Sequence, residues 1–217
     1  MSTAKRKSRL PVWNTTAPAC KGAEYMSEQS FYAHPLSIVD EGSVVGAGTR
    51  VWAGAHVMRG ATIGENCNIG ENCFVEGGVT LGDHVTVKNN VALYDGAVVE
   101  DEVFLGPSCV FTNVMNPRAF ISRKHEFKQT VVRKGASIGA NATLICGHTV
   151  GRYAFVGAGA VVSRDVPDYA LVYGTPAKIH GWVCRCGCKL TFASDGRAVC
   201  GECGLPYRKE NDLVTED

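Results

Sequence analysis

An apolar residue returns at every sixth position over most of this 217-residue chain. The pattern occupies nineteen positions, and all of them except Phe111 are valine, isoleucine or leucine. They are Val39, Val45, Val51, Val57, Ile63, Ile69, Val75, Leu81, Val87, Leu93, Val99, Leu105, Phe111, Val132, Ile138, Leu144, Val150, Val156 and Val162. Only 45% of the chain is hydrophobic, so chance does not produce such a run. A period of six excludes an α-helix, whose faces repeat about every 3.6 residues, and favours stacked short strands.

A second column of mostly small residues follows four positions after each member of the first. Its members are Ser43, Thr49, Ala55, Ala61, Cys67, Cys73, Val79, Val85, Val91, Ala97, Val103, Cys109, Ala136, Ala142, His148, Ala154, Ala160 and Val166. Many are preceded by glycine or asparagine, which tolerate the positive φ of a tight corner. Each hexad is therefore predicted to be a short strand and a corner, and the hexads to stack as an all-β solenoid. The phase of His148 predicts a buried, hydrogen-bonded, neutral imidazole, and a catalytic base is the alternative.

Composition and charge narrow the function classes. The chain carries 22 basic and 21 acidic residues, so nothing predicts a nucleic-acid partner. No window approaches the ~18 consecutive apolar residues of a membrane helix, and the start lacks the apolar segment of a secretory signal. We therefore expect no membrane partner and a cytoplasmic location. The predicted organisation is a polar extension at 1–33, a repeat domain at 34–182 and a cysteine-rich tail at 183–217.

The repeat is interrupted once, by residues 112–131, and then resumes in a shifted phase. Long loops in compact domains are usually functional, and a solenoid surface has no deep pocket of its own. The polar residues of this loop include Asn113, Asn116, Arg118, Arg123, Lys124, His125 and Glu126. The amides and cations are suited to meeting phosphate or carboxylate groups. The loop is therefore predicted to protrude and to supply the concavity and chemistry that the repeat lacks.

Five of the ten cysteines lie in the tail, within CRCGCKLTFASDGRAVCGEC at 184–203. The pairs Cys184 with Cys186 and Cys200 with Cys203 are each followed by glycine, a spacing typical of tetrahedral zinc. Cys188 is an alternative to Cys184, and disulfides are an alternative that a reducing compartment disfavours. Four thiolates leave no open position on the metal, so the tail is predicted to be a small zinc-ribbon-like module with structural zinc.

Several segments resemble one branch of the hexapeptide-repeat acyltransferases, the UDP-2-acetamido-3-amino-2,3-dideoxy-glucuronate N-acetyltransferases. They are HPLSIVDEG at 34–42, KNNVALYDG at 88–96, FLGPSCVFTNVMNPRAFISRKHEF at 104–127, GANATLICGHTVG at 139–151 and YALVYGTPAKIHGW at 169–182. The resemblance implies a left-handed parallel β-helix with three hexads per 18-residue coil, assembled as a homotrimer. It also implies transfer of an acetyl group from acetyl-CoA to the 3-amino group of a UDP-linked amino sugar, in the synthesis of bacterial surface polysaccharide.

The resemblance also suggests residue roles. Asn113 is expected to position the substrate amine, with Asn116 as second choice, and His125 or Glu126 as a conventional base if one is used. Substrate contacts are expected from His34, Asn89, Asn90, Tyr94, Arg118, Arg123 and Lys124, with Arg118 as a clamp for a sugar carboxylate. Coenzyme contacts are expected from Ala140 and Ala158, one coil apart, and from Arg164 and Lys178. For Asn90 a purely structural role, as a left-handed corner, is the alternative.

Three other functions remain open at this stage. A sugar O-acetyltransferase would require a strong base, usually histidine, in the loop. A non-catalytic hexapeptide scaffold would have little use for the long loop. A γ-type carbonic anhydrase is disfavoured, because it requires three histidines converging on a metal and His56, His84, His125 and His148 occupy different hexad phases.

Overall fold

The structure, a computed structural model, describes residues 30–217. The predicted extension at 1–33 therefore lies mostly outside the described residues. In chain order the strands are β1 (Tyr32–Ala33), β2 (Ile38–Val39), β3 (Val44–Val45), β4 (Arg50–Val51), β5 (His56–Val57), β6 (Thr62–Ile63), β7 (Asn68–Ile69), β8 (Phe74–Val75), β9 (Thr80–Leu81), β10 (Thr86–Val87), β11 (Ala92–Leu93), β12 (Ala97–Val99), β13 (Phe104–Leu105), β14 (Val110–Phe111), β15 (Thr130–Val132), β16 (Ser137–Ile138), β17 (Thr143–Leu144), β18 (Thr149–Val150), β19 (Phe155–Val156), β20 (Val161–Val162), β21 (Ala170–Tyr173), β22 (Lys178–Val183), β23 (Lys189–Leu190), β24 (Arg197–Val199), β25 (Pro206–Glu210) and β26 (Leu213–Glu216).

The strands form a parallel β-solenoid in which each strand pairs with the third strand along the chain. Tyr32 lies opposite Arg50, a separation of 18 residues, so each coil contains three hexads as predicted. Sheet 1 has the order β1-β4-β7-β10-β13-β16-β19-β21-β22-β23, sheet 2 the order β2-β5-β8-β11-β14-β17-β20, and sheet 3 the order β18-β15-β12-β9-β6-β3. Strands β24, β25 and β26 form a separate antiparallel sheet in the tail.

The two predicted columns fill the interior. The first column is buried from Val51 to Val162, and Val39 and Val45 at the open N-terminal end are half-buried. The small residues of the second column let the corners approach one another closely. Each fully buried valine, leucine or isoleucine contributes about 1.5–3 kcal/mol relative to an exposed one. Most of the stability of the solenoid therefore lies in these two columns.

The corners adopt the backbone conformation that the glycines and asparagines predict. Asn66, Asn72, Asn90 and Asn141 have φ between 54° and 62°. Other residue types adopt the same conformation at equivalent corners, namely His84, Glu102, Ser108 and Tyr153. At these four positions the repeat imposes a left-handed corner that side-chain preference alone does not predict.

The boundaries differ slightly from the predicted ones. Strand β1 begins two residues before His34 and already pairs with β4, so the described solenoid starts earlier than the motif. Thr130 and Val131, predicted as loop, belong to β15. Strand β22 runs across the predicted junction between residues 182 and 183, and links the solenoid to the tail.

Helical structure is minimal in the described part of the chain. The one helix assigned there is a three-residue 3-10 turn at Lys124–Glu126, within the interrupting loop. No helix among residues 30–217 has the length and apolar character needed to cross a membrane.

Candidate active site

The three sheets meet along three edges, and the predicted catalytic, substrate and coenzyme residues, except Lys178 in β22, lie on two of them. The first edge joins sheet 1 to sheet 2, and it contains His34, Asn89, Asn90, Ala140 and Ala158. The second edge joins sheet 2 to sheet 3, and it contains Tyr94, Arg164 and the loop of residues 112–129. A face of about four extended residues, roughly 13 Å, separates two edges of one solenoid. Within residues 30–217, no hydrogen bond or ion pair joins the loop to the first edge.

The interrupting loop leaves and rejoins the solenoid at the second edge. Ala97 pairs with Thr130 across it, a separation of 33 residues in place of 18, so the loop adds 15 residues to one coil. The Lys128 N–H donates to the Asn113 carbonyl at 2.9 Å and closes the base of the loop. Beside this base, the Cys146 N–H donates to Thr112 Oγ1 at 2.9 Å. The root of the loop is thus fixed to the solenoid on both sides.

Three titratable residues of the loop contact one another. Arg123 Nη1 donates to both carboxylate oxygens of Glu126, at 2.8 and 3.0 Å. His125 Nε2 lies 3.5 Å from Glu126 Oε1, and its side chain is 77% exposed. The pair of Arg123 and Glu126 therefore holds the 3-10 turn together, which leaves His125 as the more accessible of the two predicted bases.

The amides of the loop differ in setting. Asn113 is half-buried at the loop root, whereas Asn116 is exposed. Asn116 lines an open depression of about 650 Å³ together with Met115, Glu126, Phe127 and Lys128. Both amides are thus placed to meet a ligand, Asn113 at the solenoid surface and Asn116 further out.

The outer part of the loop is both cationic and apolar. Arg118 and Lys124 are exposed, and Arg118 Nη1 donates to the Pro117 carbonyl at 2.9 Å. Met115, Phe120 and Ile121 are 53%, 84% and 43% exposed. Large apolar side chains exposed together on a loop are typical of a surface that is covered by another molecule.

On the first edge, Asn89 and Asn90 both have structural contacts. Asn90 has φ 62° and accepts a hydrogen bond from Asn72 Nδ2 at 3.4 Å, which confirms the predicted left-handed corner. Asn89 Oδ1 accepts from the Glu71 N–H at 3.3 Å. Both side chains are exposed, so their Nδ2 groups face solvent and could also meet a ligand.

A second depression lies next to Asn89 and includes residues that the sequence did not single out. It has a volume of about 350 Å³ and is lined by Trp52, Asn68, Gly70, Glu71, Lys88 and Asn89. Trp52 Nε1 donates to Asn68 Oδ1 at 2.8 Å, and the Tyr32 ring packs edge-on against the indole at 5.8 Å. A signal was present in the sequence: Trp52 and Lys88 occupy a corner position that is glycine in most other coils.

The predicted coenzyme residues lie toward the C-terminal end of the solenoid. Ala140 and Ala158 stack one coil apart, and the Gly159 N–H donates to the Ala140 carbonyl at 2.9 Å. Arg164 and Lys178 both line a mainly apolar cavity of about 190 Å³, together with Val162, Ser163, Asp165, Val166, Val172, Ala177 and Ile179. The structure thus brings Arg164 and Lys178 together at one cavity.

Three other predicted or weighed residues have clear positions. His34 Nδ1 accepts from the Leu36 N–H at 3.1 Å at the N-terminal end of the first edge. Tyr94 is 38% exposed at the second edge, one coil below the loop root. The buried position expected for His148 is wrong: its side chain is 27% exposed and Nδ1 lies 3.6 Å from Asp165 Oδ1. The equivalent corners at Gly60 and Gly78 have nearly the same φ, and Ala61 and Val79 after them are buried. The difference at His148 therefore lies in its polar side chain, whose partner is the Asp165 carboxylate of the next coil.

The four predicted metal ligands in the tail converge. The sulfurs of Cys184, Cys186, Cys200 and Cys203 all lie within 4.8 Å of one another. Cys184 and Cys203 are 3.3 Å apart and Cys186 and Cys200 are 3.5 Å apart, too far for disulfides. Zinc bonded to sulfur at about 2.3 Å places tetrahedral sulfurs about 3.8 Å apart, so this set suits the ion.

The four thiols of this cluster differ in pKa: that of Cys200 is lowered, whereas the hydrogen bond with Cys184 helps to raise that of Cys186 to about 11. N–H groups of Cys203 and Glu202 lower the pKa of the Cys200 thiol to about 6. Gly187 and Gly204, which follow the two pairs, have φ 91° and 73°, as the tight turns around a metal require. Cys188 falls outside the four-sulfur set and lies near Cys186 and Glu202.

Comparison with known families identifies the repeat. The family described as the hexapeptide repeat of succinyl-transferase matches residues 60–95 and 130–164. The family described as bacterial transferase hexapeptide (six repeats) matches residues 42–77. Both matches fall within the solenoid, on either side of the interrupting loop.

Two curated proteins show sequence similarity over part of the chain. A 90-residue segment, 42% of this chain, is 53% identical to the dTDP-3-amino-3,6-dideoxy-alpha-D-galactopyranose 3-N-acetyltransferase of Aneurinibacillus thermoaerophilus and covers 46% of that protein. A 77-residue segment, 36% of this chain, is 38% identical to the 2,3,4,5-tetrahydropyridine-2,6-dicarboxylate N-acetyltransferase of Staphylococcus aureus strain JH9 and covers 29% of it. The chain thus spans less than half the length of these two relatives.

A solved structure has the same fold. The UDP-N-acetylglucosamine acyltransferase of Bacteroides fragilis superimposes with a TM-score of 0.59, over 70% of this chain and 61% of that one. The two sequences are 20% identical, so this likeness concerns the solenoid architecture alone.

Proposed function

We propose that this chain is a bacterial hexapeptide-repeat transferase, namely an acetyl-CoA-dependent N-acetyltransferase that acts on a nucleotide-linked amino sugar. The observation that carries the proposal is the 90-residue segment that is 53% identical to a dTDP-amino-sugar 3-N-acetyltransferase. The second curated relative is also an N-acetyltransferase by name. The left-handed turn of the solenoid is part of the same proposal.

The substrate that we propose is UDP-2-acetamido-3-amino-2,3-dideoxy-glucuronate, with the 3-amino group as acceptor. The sequence resemblance suggests the uridine nucleotide and the uronate. The named substrate of the Aneurinibacillus relative shares the 3-amino sugar and the nucleoside diphosphate, but carries thymidine and a 6-deoxy carbon. The exposed guanidinium of Arg118 is the proposed partner of the uronate carboxylate, because a planar fork binds a carboxylate through two hydrogen bonds. The reaction would serve bacterial surface polysaccharide synthesis in the cytoplasm.

The separation of the two edges supports a homotrimer. Asn113 and Arg118 lie on the second edge, whereas Asn89 and the alanine ladder lie on the first. If the loop of one copy packs on the first edge of its neighbour, all the proposed groups share one cleft. The exposed Met115, Phe120 and Ile121 are then covered by the neighbouring copy.

The first edge offers a linear path for both substrates. Neighbouring coils are spaced about 4.8 Å apart, so Ala140 lies roughly 10 Å from Asn89, and Trp52 lies roughly 10 Å from Lys88. In the proposed arrangement acetyl-CoA enters from the C-terminal end. Its phosphates lie near Arg164 and Lys178 of the neighbouring copy, because Arg164 is on the second edge. The nucleotide sugar occupies the N-terminal end, and the amine meets the thioester near Asn89.

The proposed chemistry is direct attack by the sugar amine. The nitrogen lone pair attacks the thioester carbonyl carbon, the C–N bond forms and the C–S bond breaks. The amine proton passes to the departing thiolate, so the products are an amide and free coenzyme A. Asn113 positions the amine, and hydrogen bonds from amide groups stabilise the oxyanion. No general base is then required, because the neutral amine is the nucleophile.

The structure also bears on which residue could serve as a base. Both oxygens of Glu126 accept from Arg123, so this carboxylate is engaged in holding the loop. His125 is exposed and His148 is paired with Asp165 at the same edge. If a base takes part, these two histidines are the groups to test.

The proposal includes a structural zinc ion in the zinc-ribbon-like tail. Cys184, Cys186, Cys200 and Cys203 would hold it, and their mutual sulfur distances support this. Four protein thiolates fill a tetrahedral coordination sphere, so the ion would supply stability to the tail and take no part in acetyl transfer.

The test is an acetylation assay with a small panel of acceptors, read by mass spectrometry. The panel contains the UDP-linked 3-amino uronate, a dTDP-linked 3-amino-6-deoxyhexose and UDP-N-acetylglucosamine, which offers hydroxyls but no free amine. We expect acetyl-CoA-dependent modification of the amino sugars, fastest for the uronate, and no modification of UDP-N-acetylglucosamine. Acetylation of the hydroxyl-only acceptor would indicate an O-acetyltransferase. A lack of thermal stabilisation by saturating acetyl-CoA would indicate a scaffold.

A further inference from the structure

The cysteine-rich tail is joined to the last coil of the solenoid through a shared sheet. Strand β22 pairs antiparallel with β21 and then with β23, so sheet 1 continues from the solenoid into the tail. Trp182 in β22 lies opposite Ala170 on one side and Leu190 on the other. The Val183 N–H also donates to the Tyr169 carbonyl at 2.8 Å. The tail therefore covers the strand that would otherwise be the C-terminal edge of sheet 1.

The apolar interior is continuous across this junction. Tyr169 of the last coil packs against Tyr153 and Tyr207, with ring centroids 5.5 Å apart in both pairs. Tyr207 is fully buried at 0% exposure, and Trp182 is 5% exposed. Tyr169 also donates its hydroxyl to Glu216 at 3.1 Å. The end of the solenoid core and the core of the tail are thus one cluster.

The cysteine cluster is connected to this aromatic row. The Tyr207 hydroxyl accepts from the Arg185 N–H at 3.1 Å and lies 3.1 Å from Cys184 Sγ, to which it can donate. Cys184 is 1% exposed and immediately follows β22. A continuous set of contacts therefore runs from the sulfurs through Tyr207 and Tyr169 to the solenoid.

The tail has few apolar residues of its own. Beyond β22 its buried hydrophobic residues, apart from cysteines, are Leu190, Ala198, Tyr207 and Val214. A core of this size does not hold a segment of about 35 residues folded without a staple. Without a metal the four thiols would form a poorly packed polar cluster, which would not supply the additional stability that the tail needs.

We propose that the tail is an end cap that closes the C-terminal end of the solenoid, and that the four-cysteine metal centre keeps this cap folded. Solenoids require capped ends, because an uncovered coil exposes its core and its strand edges to other chains. Loss of the metal unfolds the tail, uncovers Tyr169 and the edge at β21 and β22, and makes the protein self-associate. The inference concerns the fold and is independent of the acetyl-transfer proposal.

The experiment uses the full chain, purified without added metal. We expect about one zinc per chain by elemental analysis. Removal of zinc with a chelator under reducing conditions should lower Tm by at least about 5 °C, because the tail loses the metal that keeps it folded. Hydrogen exchange should rise in residues 169–190 and in the tail, while the central coils stay protected. Light scattering should show association of the stripped protein, and added zinc should reverse it.

Two variants sharpen the test. Cys200→Ser removes a ligand and should reproduce the stripped state in metal content, exchange and association. Cys188→Ser alters the cysteine outside the four-sulfur set and should leave all three unchanged. Purified protein without metal overturns the proposal. So does a zinc-loaded protein whose exchange at Tyr169–Val183 and monodispersity do not change when the zinc is removed. Because the stripping arm uses the wild-type chain, the proposal can be refuted even if Cys200→Ser folds poorly.

Discussion

Substitutions of Asn90 distinguish a structural role from a substrate-binding role on the first edge. The backbone conformation of Asn90 gives the expected loss of stability. Its φ of 62° is left-handed, a conformation that costs an alanine about 1–2 kcal/mol and glycine almost nothing. Asparagine tolerates this region better than alanine, so Asn90→Ala should cost about 1 kcal/mol. The long, exposed hydrogen bond from Asn72 adds less than about 0.5 kcal/mol. For a chain of this size Tm should fall by about 2–4 °C in Asn90→Ala, and by less than about 2 °C in Asn90→Gly.

The assay pairs thermal unfolding with acetylation kinetics. Asn66→Ala and Asn66→Gly are the matched controls, because Asn66 has φ 54° at the third edge, between sheets 3 and 1. At both positions the alanine variant should be less stable than the glycine variant. We expect the structural role to dominate at Asn90, so that Asn90→Gly keeps kcat/KM within about threefold of wild type. The controls should keep full activity.

Two results would count against this reasoning. Equal Tm values for Asn90→Gly and Asn90→Ala would show that the left-handed corner is not what selects asparagine. A loss of more than about tenfold in kcat/KM for Asn90→Gly, with Tm unchanged, would assign the Asn90 amide to the substrate.

The remaining predictions concern substrate contacts and pH. Arg118→Ala should lower kcat/KM for the uronate acceptor about tenfold or more and leave a neutral 3-amino sugar unaffected; an equal effect on both would contradict a carboxylate clamp. Trp52→Ala should raise KM for the nucleotide sugar about tenfold with KM for acetyl-CoA unchanged, whereas Phe104→Ala, a similarly exposed aromatic of sheet 1, should change neither. Burial raises the pKa of the Cys109 thiol from an ordinary value of 9.0 to about 12. Above pH 9 the thiol therefore ionises in the unfolded chain before it ionises in the folded one. The free energy of unfolding should be unaffected by this group below pH 9 and should fall between pH 9 and 12. Denaturant titrations in reducing buffer check this: the fall should be shallower in Cys109→Ala than in wild type, and equal slopes in the two proteins would refute it.

The convergence of the cysteines was predictable because the ligands are close in sequence and metal geometry restricts them. Packing in the tail distinguishes the two alternative cysteines by position. Cys184 joins the set since it directly follows β22 and contacts the buried Tyr207 hydroxyl. Cys188 lies outside it. Spacing alone does not distinguish these two thiols, because both are two residues from Cys186.

The family resemblance supplied the three-hexad coil. The hexad pattern by itself determined the solenoid and most of the residues buried inside it. It could do so because the repeat is local: a position within the hexad decides whether a side chain faces the core, the solvent or the corner. It also located the interrupting loop, since a break in a regular pattern is visible without coordinates.

Only the tertiary structure decided which residues are neighbours across coils and edges. It placed Trp52 and Asn68 beside Asn89, brought His148 to Asp165, and paired Arg123 with Glu126. It also separated the loop from the first edge, so that one chain holds two parts of the proposed site. These relations depend on stacking between residues 18 or 33 apart and on the path of an irregular loop, and neither is encoded in a six-residue period.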